Sequence, residues 1–116
     1  MPKQPLGSAT RLNALLSALA ATVDSRVDAD PAKSYTAKLL HSGNVRCGKK
    51  IAEEAAEVAL AIAAEGRRET AAEAADLLFH LLVGLRAKGV ELDMVADALA
   101  DRRGVSGIAE KAARKP

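Results

Sequence analysis

Glu73-Ala74-Ala75-Asp76-Leu77-Leu78-Phe79-His80-Leu81-Leu82-Val83 is the stretch of this chain that decides its fold. From Ala74 onward it is apolar on nearly every side, and a helix hydrophobic all round is a buried helix. Yet it opens on two carboxylates at helical spacing, Glu73 and Asp76. Carboxylates are rarely buried unless paired or bound to a metal. Working back along the chain, Glu53-Glu54-Ala55-Ala56-Glu57 forms a second acidic cluster. The residues between the two clusters suffice to finish one helix, turn and begin the next.

Composition fits helices packed on helices. Hydrophobic residues make up 49% of the 116 and aromatics only 2%, Tyr35 and Phe79. Small apolar residues with few aromatics suit close helix packing better than a sheet. We therefore expect an all-α chain, an antiparallel helical bundle. A thin, Ala-rich core in so short a chain also favours completion by dimerisation.

Boundaries follow from caps and breakers. Residues 1–10 read as a tail, 11–102 as the helical domain and 103–116 as a basic tail able to form a short helix over Ser106 to Arg114. Ser8 or Thr10 caps a first helix that runs to about Val27. Its large residues, Leu12, Leu15, Leu16, Leu19 and Val23, recur at amphipathic spacing, so it reads as a structural helix and not a secretion signal. Asp30-Pro31 reads as the N-cap and first position of a second, short helix ending near Ser42-Gly43-Asn44. A third spans Val45 to Glu65 with Ile51, Ala55, Val58 and Ile62 as its apolar stripe, stopped by Gly66. A fourth runs from Arg68 to Lys88, closed by Gly89, and a fifth from Leu92 to Arg102. No segment reaches the ~18 consecutive apolar residues of a membrane span.

Charge narrows the partners. The net value of +2, from 17 basic and 15 acidic residues, implies no polyelectrolyte partner. The last residues concentrate Arg102, Arg103, Lys111, Arg114 and Lys115 against Glu110, a run that reads as a solvated end, with a nucleic-acid contact as the alternative. Cys47 is the only cysteine. It permits no intramolecular disulfide, fits a reducing cytoplasm, and reads as a partly buried small residue.

The chemistry lies in the acidic clusters. Residues three and four apart on a helix are neighbours, so Lys50, Glu53, Glu54 and Glu57 share one ridge and Glu73, Asp76 and His80 another. If the third and fourth helices pack antiparallel, these ridges can face each other. Clustered carboxylates in a dry cleft repel, and a divalent cation relieves the repulsion. An all-oxygen ligand set suits Mg²⁺ or Mn²⁺ better than zinc, and Mg²⁺ shares its coordination with substrate phosphates. The reaction class expected is hydrolysis at phosphorus. A di-iron bundle would need Glu-x-x-His pairs, absent here. The competing reading of Glu53 to Glu57 is a solvated helix face; that of His80 is a satisfied core histidine, against orienting a carboxylate or contacting substrate.

Three segments in order, Ser34-Tyr35-Thr36-x-Lys38-Leu39, Lys49-Lys50-x-x-Glu53-Glu54-x-x-Glu57 and Glu73-x-x-Asp76-Leu77-x-x-His80, resemble the phosphoribosyl-ATP pyrophosphatases. That family is the histidine-biosynthesis branch of the all-α, MazG-like nucleotide pyrophosphohydrolases. The resemblance covers roughly residues 12–100 and departs from the pattern at Cys47 and Ala52. It implies Mg²⁺-dependent hydrolysis of 1-(5-phosphoribosyl)-ATP to 1-(5-phosphoribosyl)-AMP and pyrophosphate by a homodimer. Carried over, Glu54, Glu57, Glu73 and Asp76 are the metal ligands. Glu53 is a further ligand, an orienter or the base that activates water. Lys38, Lys49 and Lys50 contact phosphates, with ordinary surface lysines as the plainer reading. The resulting expectation is a cytoplasmic enzyme with a small nucleotide substrate and no nucleic-acid or membrane partner. A house-cleaning triphosphate pyrophosphohydrolase and a non-enzymatic, nucleic-acid-binding bundle are the alternatives.

Overall fold

The computed structural model describes residues 4–103, all helix and connection, with no strand among them. In chain order the elements are α1 (Thr10–Ser25), α2 (Tyr35–His41), α3 (Asn44–Ala64), α4 (Arg67–Lys88) and α5 (Leu92–Asp101). The expected short helix over Ser106 to Arg114 lies outside the described residues. Among the described residues no helix is long and apolar enough to cross a membrane.

An α3–α4 hairpin dominates. Glu65 and Gly66 alone separate the two helices, and their mutual interface is the most extensive in the molecule. Gly84 lies over Ile51 and Cys47, while Glu73 lies over Glu57 and Glu54, so the helices run antiparallel. A Cβ at Gly84 would stand 2.6 Å from Ile51 Cδ1, which shows how closely the helices approach there. Gly89 ends α4 in the left-handed conformation, φ 78°. Its N–H reaches Arg86 O and that of Val90 reaches Leu85 O, the paired bonds of a Schellman cap. The core gathers Val23, Leu39, Cys47, Leu82 and Val83, with Leu16, Leu19, Leu40, Phe79 and Ala87 packed against it. Cys47 is buried, its thiol donating to Leu39 O at 3.3 Å across the α2–α3 junction.

Several expectations change in detail. The first helix stops at Ser25, and the chain continues to Asp28 in turns. Ser8 Oγ does accept from Thr10 N (3.2 Å), yet Ala9 holds the cap position. Asp30 does not start α2. Its Oδ1 accepts from Ala32 N and its carbonyl from Lys33 and Ser34 N–H, which closes a single turn. Ser34 then breaks to an extended conformation and caps α2, its Oγ accepting from Ala37 N at 3.1 Å.

The apolar stripe of α3 is also displaced. The buried ridge is Cys47, Glu54 and Ala61, whereas Ala55 and Ile62 face outward. Half of the expected stripe holds, since Ile51 and Val58 are half-buried on this ridge, and the other half fails because a carboxylate occupies a core position. Nor is α4 covered all round. His80, Leu82 and Val83 are buried and Leu77, Leu78 and Phe79 half-buried, but Leu81 is exposed. The shorter α1 and α2 cover only part of a 22-residue helix, and α5 buries no residue at all.

Candidate active site

Because α3 and α4 are antiparallel, the two acidic ridges meet near the middle of the hairpin. Glu54, Glu57 and Glu73 each bring a carboxylate oxygen within 4.8 Å of the others. Glu54 is buried at 8% exposure, Glu73 is half-buried and Glu57 opens to solvent. Asp76 is exposed and outside this trio, one turn beyond Glu73 on α4. The structure thus brings together three of the four expected ligands, with Asp76 at the margin.

The trio is short of positive charge. Lys50 Nζ lies 3.4 Å from Glu53 Oε2 and 3.8 Å from Glu54 Oε1, the only cation paired with the cluster among the described residues. Glu54 Oε2 and Glu73 Oε2 are buried without a hydrogen-bond partner. An orphaned buried carboxylate oxygen is costly unless something supplies charge or a proton. Burial first, and then the charge of Glu57, hold the Glu54 carboxyl above its ordinary pKa, against the opposing pull of His80 and Lys50. Glu73 is raised too, first by hydrogen bonding with Glu57, then by burial and the charges of Glu57, Asp76 and Glu54. Two carboxylates from opposite helices, each with an orphaned buried oxygen, in one all-oxygen cluster fit a hard divalent cation. Glu53, half-exposed, stands outside the cluster on Lys50. Nearby Tyr35 first, then the hydrogen bond to Glu53, raise the Lys50 pKa and keep the ammonium charged.

His80 underlies this cluster from α4. Its Nδ1 lies 2.8 Å from Asp76 O and its Nε2 3.1 Å from Tyr35 Oη. A carbonyl can only accept, so Nδ1 carries the proton, and in the neutral ring Nε2 accepts from the phenol. With both nitrogens engaged and the ring buried, His80 ties α2 to α4. Tyr35 also stacks on Phe79, centroids 6.3 Å apart, and the Phe79 ring meets His80 edge-on at 5.0 Å.

Beside the carboxylates, α2 and α3 enclose a hollow of about 530 Å³ lined by Tyr35, Lys38, Leu39, Ser42, Arg46 and Lys50. Of the lysines expected to contact phosphates, Lys38 and Lys50 line it. Lys49 does not: two positions from buried Cys47, it projects from the far side of α3 into solvent. Arg46 lines the hollow instead. Sequence reasoning missed it, although its spacing of four from Lys50 places the two on one ridge.

Comparisons with known proteins point the same way. A family model described as phosphoribosyl-ATP pyrophosphohydrolase matches residues 16–103. The phosphoribosyl-ATP pyrophosphatase of Caulobacter vibrioides is 51% identical over 104 residues, 90% of this chain and 96% of its own length. That of Methylobacterium radiotolerans is 54% identical over 101 residues, 87% of this chain and 94% of its own. A histidine biosynthesis bifunctional protein of Wolinella succinogenes is 53% identical over 91 residues, 78% of this chain but 40% of its own.

Proposed function

The chain belongs to the phosphoribosyl-ATP pyrophosphohydrolase family, and from that premise we propose that it hydrolyses 1-(5-phosphoribosyl)-ATP to 1-(5-phosphoribosyl)-AMP and pyrophosphate in histidine biosynthesis. The observation that carries the reading is the meeting of Glu54, Glu57 and Glu73 from two helices, with two buried oxygens left unpartnered.

In this reading Mg²⁺, with Mn²⁺ able to replace it, is held by Glu54, Glu57 and Glu73, with Asp76 at the edge. When bound it neutralises phosphate charge and makes phosphorus open to attack. Glu53, outside the cluster and open to solvent, accepts the proton of the attacking water. The water oxygen bonds to phosphorus as the α–β bridging P–O bond breaks, and pyrophosphate leaves with the electron pair. Lys50 pulls Glu53 and Glu54 into register and offers positive charge as negative charge gathers. The Tyr35–His80–Asp76 chain holds α2, and with it Lys38, against α4.

We further propose a homodimer. Leu60 and Ile62 on α3 are 65% and 70% exposed, and Met94 and Leu99 on α5 are 56% and 62% exposed, apolar surface that a second copy would cover. The single buried thiol supports a cytoplasmic home, with no nucleic-acid partner required.

The test is pyrophosphate release from phosphoribosyl-ATP, with Mg²⁺ and after its chelation. Release that needs the metal supports the reading. Turnover of ordinary or modified nucleoside triphosphates with none of phosphoribosyl-ATP would replace it with the house-cleaning activity. Sedimentation equilibrium of wild type and Ile62→Glu reads the dimer, which a strictly monomeric wild type would refute.

A further inference from the structure

The hollow beside the carboxylates concentrates cationic charge. Of the six residues lining it, three are cations, Lys38, Arg46 and Lys50. Lys50 is shared with Glu53 and Glu54. Among the described residues, the side chains of Lys38 and Arg46 make neither an ion pair nor a hydrogen bond. Elsewhere on the molecule the arrangement differs: Arg86 is tied to Asp24 at 2.9 Å. Cations that converge on a concavity and lack carboxylate partners form an anion site, and arginine adds a planar fork that matches two phosphate oxygens at once.

We propose that Arg46 and Lys38, with Lys50, form the seat of the leaving pyrophosphate. The identity of the leaving group rests on the reaction proposed above; the anion seat itself does not. Three arguments favour this end of the substrate. Lys50 belongs to both the hollow and the carboxylate cluster, so whatever fills the hollow lies next to the phosphorus under attack. On one side of the scissile bond lies a nucleoside bearing a single phosphate; on the other lies a diphosphate, whose multiple charges match three cations. The remaining phosphate of the substrate lies across the base and ribose, remote from the bond that breaks. Charge grows on the diphosphate as the bond breaks, so cations placed here favour the transition state over the bound substrate.

The test is calorimetric titration of inorganic pyrophosphate, and separately adenosine monophosphate, into the full chain with Mg²⁺ present. Arg46→Ala and Lys38→Ala should each weaken pyrophosphate binding roughly 10- to 100-fold, the loss expected for a charged hydrogen-bonding group. Adenosine monophosphate binding should be unchanged, and Arg46→Lys should retain part of the pyrophosphate affinity. Circular dichroism melts check that the variants stay folded, as the exposure of both side chains favours. Unaltered pyrophosphate affinity in folded Arg46→Ala would overturn the seat. So would an equal loss for adenosine monophosphate, which would give Arg46 to the nucleotide. A wild type that binds pyrophosphate through Arg46 but leaves phosphoribosyl-ATP intact would refute the reaction and leave the seat standing.

Discussion

Two hollows of about 530 Å³ each open on this protein, and they differ in how their charges are settled. The one between α2 and α3 has unpaired Lys38 and Arg46 on its walls and abuts three carboxylates that carry two orphaned oxygens. The other, where α1 meets the end of α4 and the start of α5, sets apolar Val23, Leu82 and Leu85 beside the acids Asp24, Glu91 and Asp93. Its one cation, Arg86, is paired with Asp24. Equal space does not make equal sites. The first region sets unpaired cations beside buried, unpartnered carboxylate oxygens, whereas the carboxylates the second leaves unpaired, Glu91 and Asp93, are exposed to water.

The largest expected effect breaks the first region alone. Glu57→Gln or Glu73→Gln should lower pyrophosphate release roughly 100-fold or more while the helical circular dichroism signal persists. If both variants kept wild-type turnover and metal affinity, the carboxylate cluster would not be the site. Next comes Tyr35→Phe, which strips the partner from buried His80 Nε2. It should cost about 1–2 kcal/mol in denaturant unfolding. It should also weaken pyrophosphate binding, because α2 carries Lys38.

A third experiment uses protons. The raised pKa values of Glu54 and Glu73 mean that both bind protons more tightly folded than unfolded. The stability this lends is fully present below the ordinary carboxylate range and is lost as pH rises through the raised folded values. Metal-free Glu54→Gln should therefore melt at or above wild type at pH 7, with the advantage shrinking as pH falls towards 4. Mg²⁺ should raise the melting point of wild type at pH 7 more than that of the variant. The smallest effect belongs to the second hollow. Asp24→Asn removes an exposed ion pair and should change stability by about 0–1 kcal/mol, with turnover untouched. A large loss of activity there would erase the contrast between the two regions.

Much of this was legible in the chain because its signals were local. Gly66 and Gly89 set the limits of α3 and α4 to within a residue or two, and helical spacing placed the acids on two ridges that face each other once the helices pack antiparallel. What failed depended on the third dimension. Asp30-Pro31 carries the chemistry of a helix start, but the turn it makes closes on itself, and Ser34 does the capping. The apolar stripe of α3 was half right: Ile51 and Val58 face inward, but Glu54 and not Ala55 or Ile62 completes the buried ridge. Among the basic residues, Lys49 stands in the Lys-Lys pair of the resemblance yet faces solvent, while Arg46 reaches the hollow because α2 folds back over its turn. Sequence spacing shows which residues share a ridge; which ridge another helix then covers depends on long-range packing.

Cys47 gives the molecule an internal clock. It is the single thiol of the chain, 3% exposed, wedged beneath Leu39 where α2 meets α3. A thiol reagent can modify it only when those helices part, so the labelling rate counts openings of the junction that carries Lys38 and Arg46. A ligand that bridges the two helices should slow that count, which makes occupancy of the hollow readable without any label being engineered in.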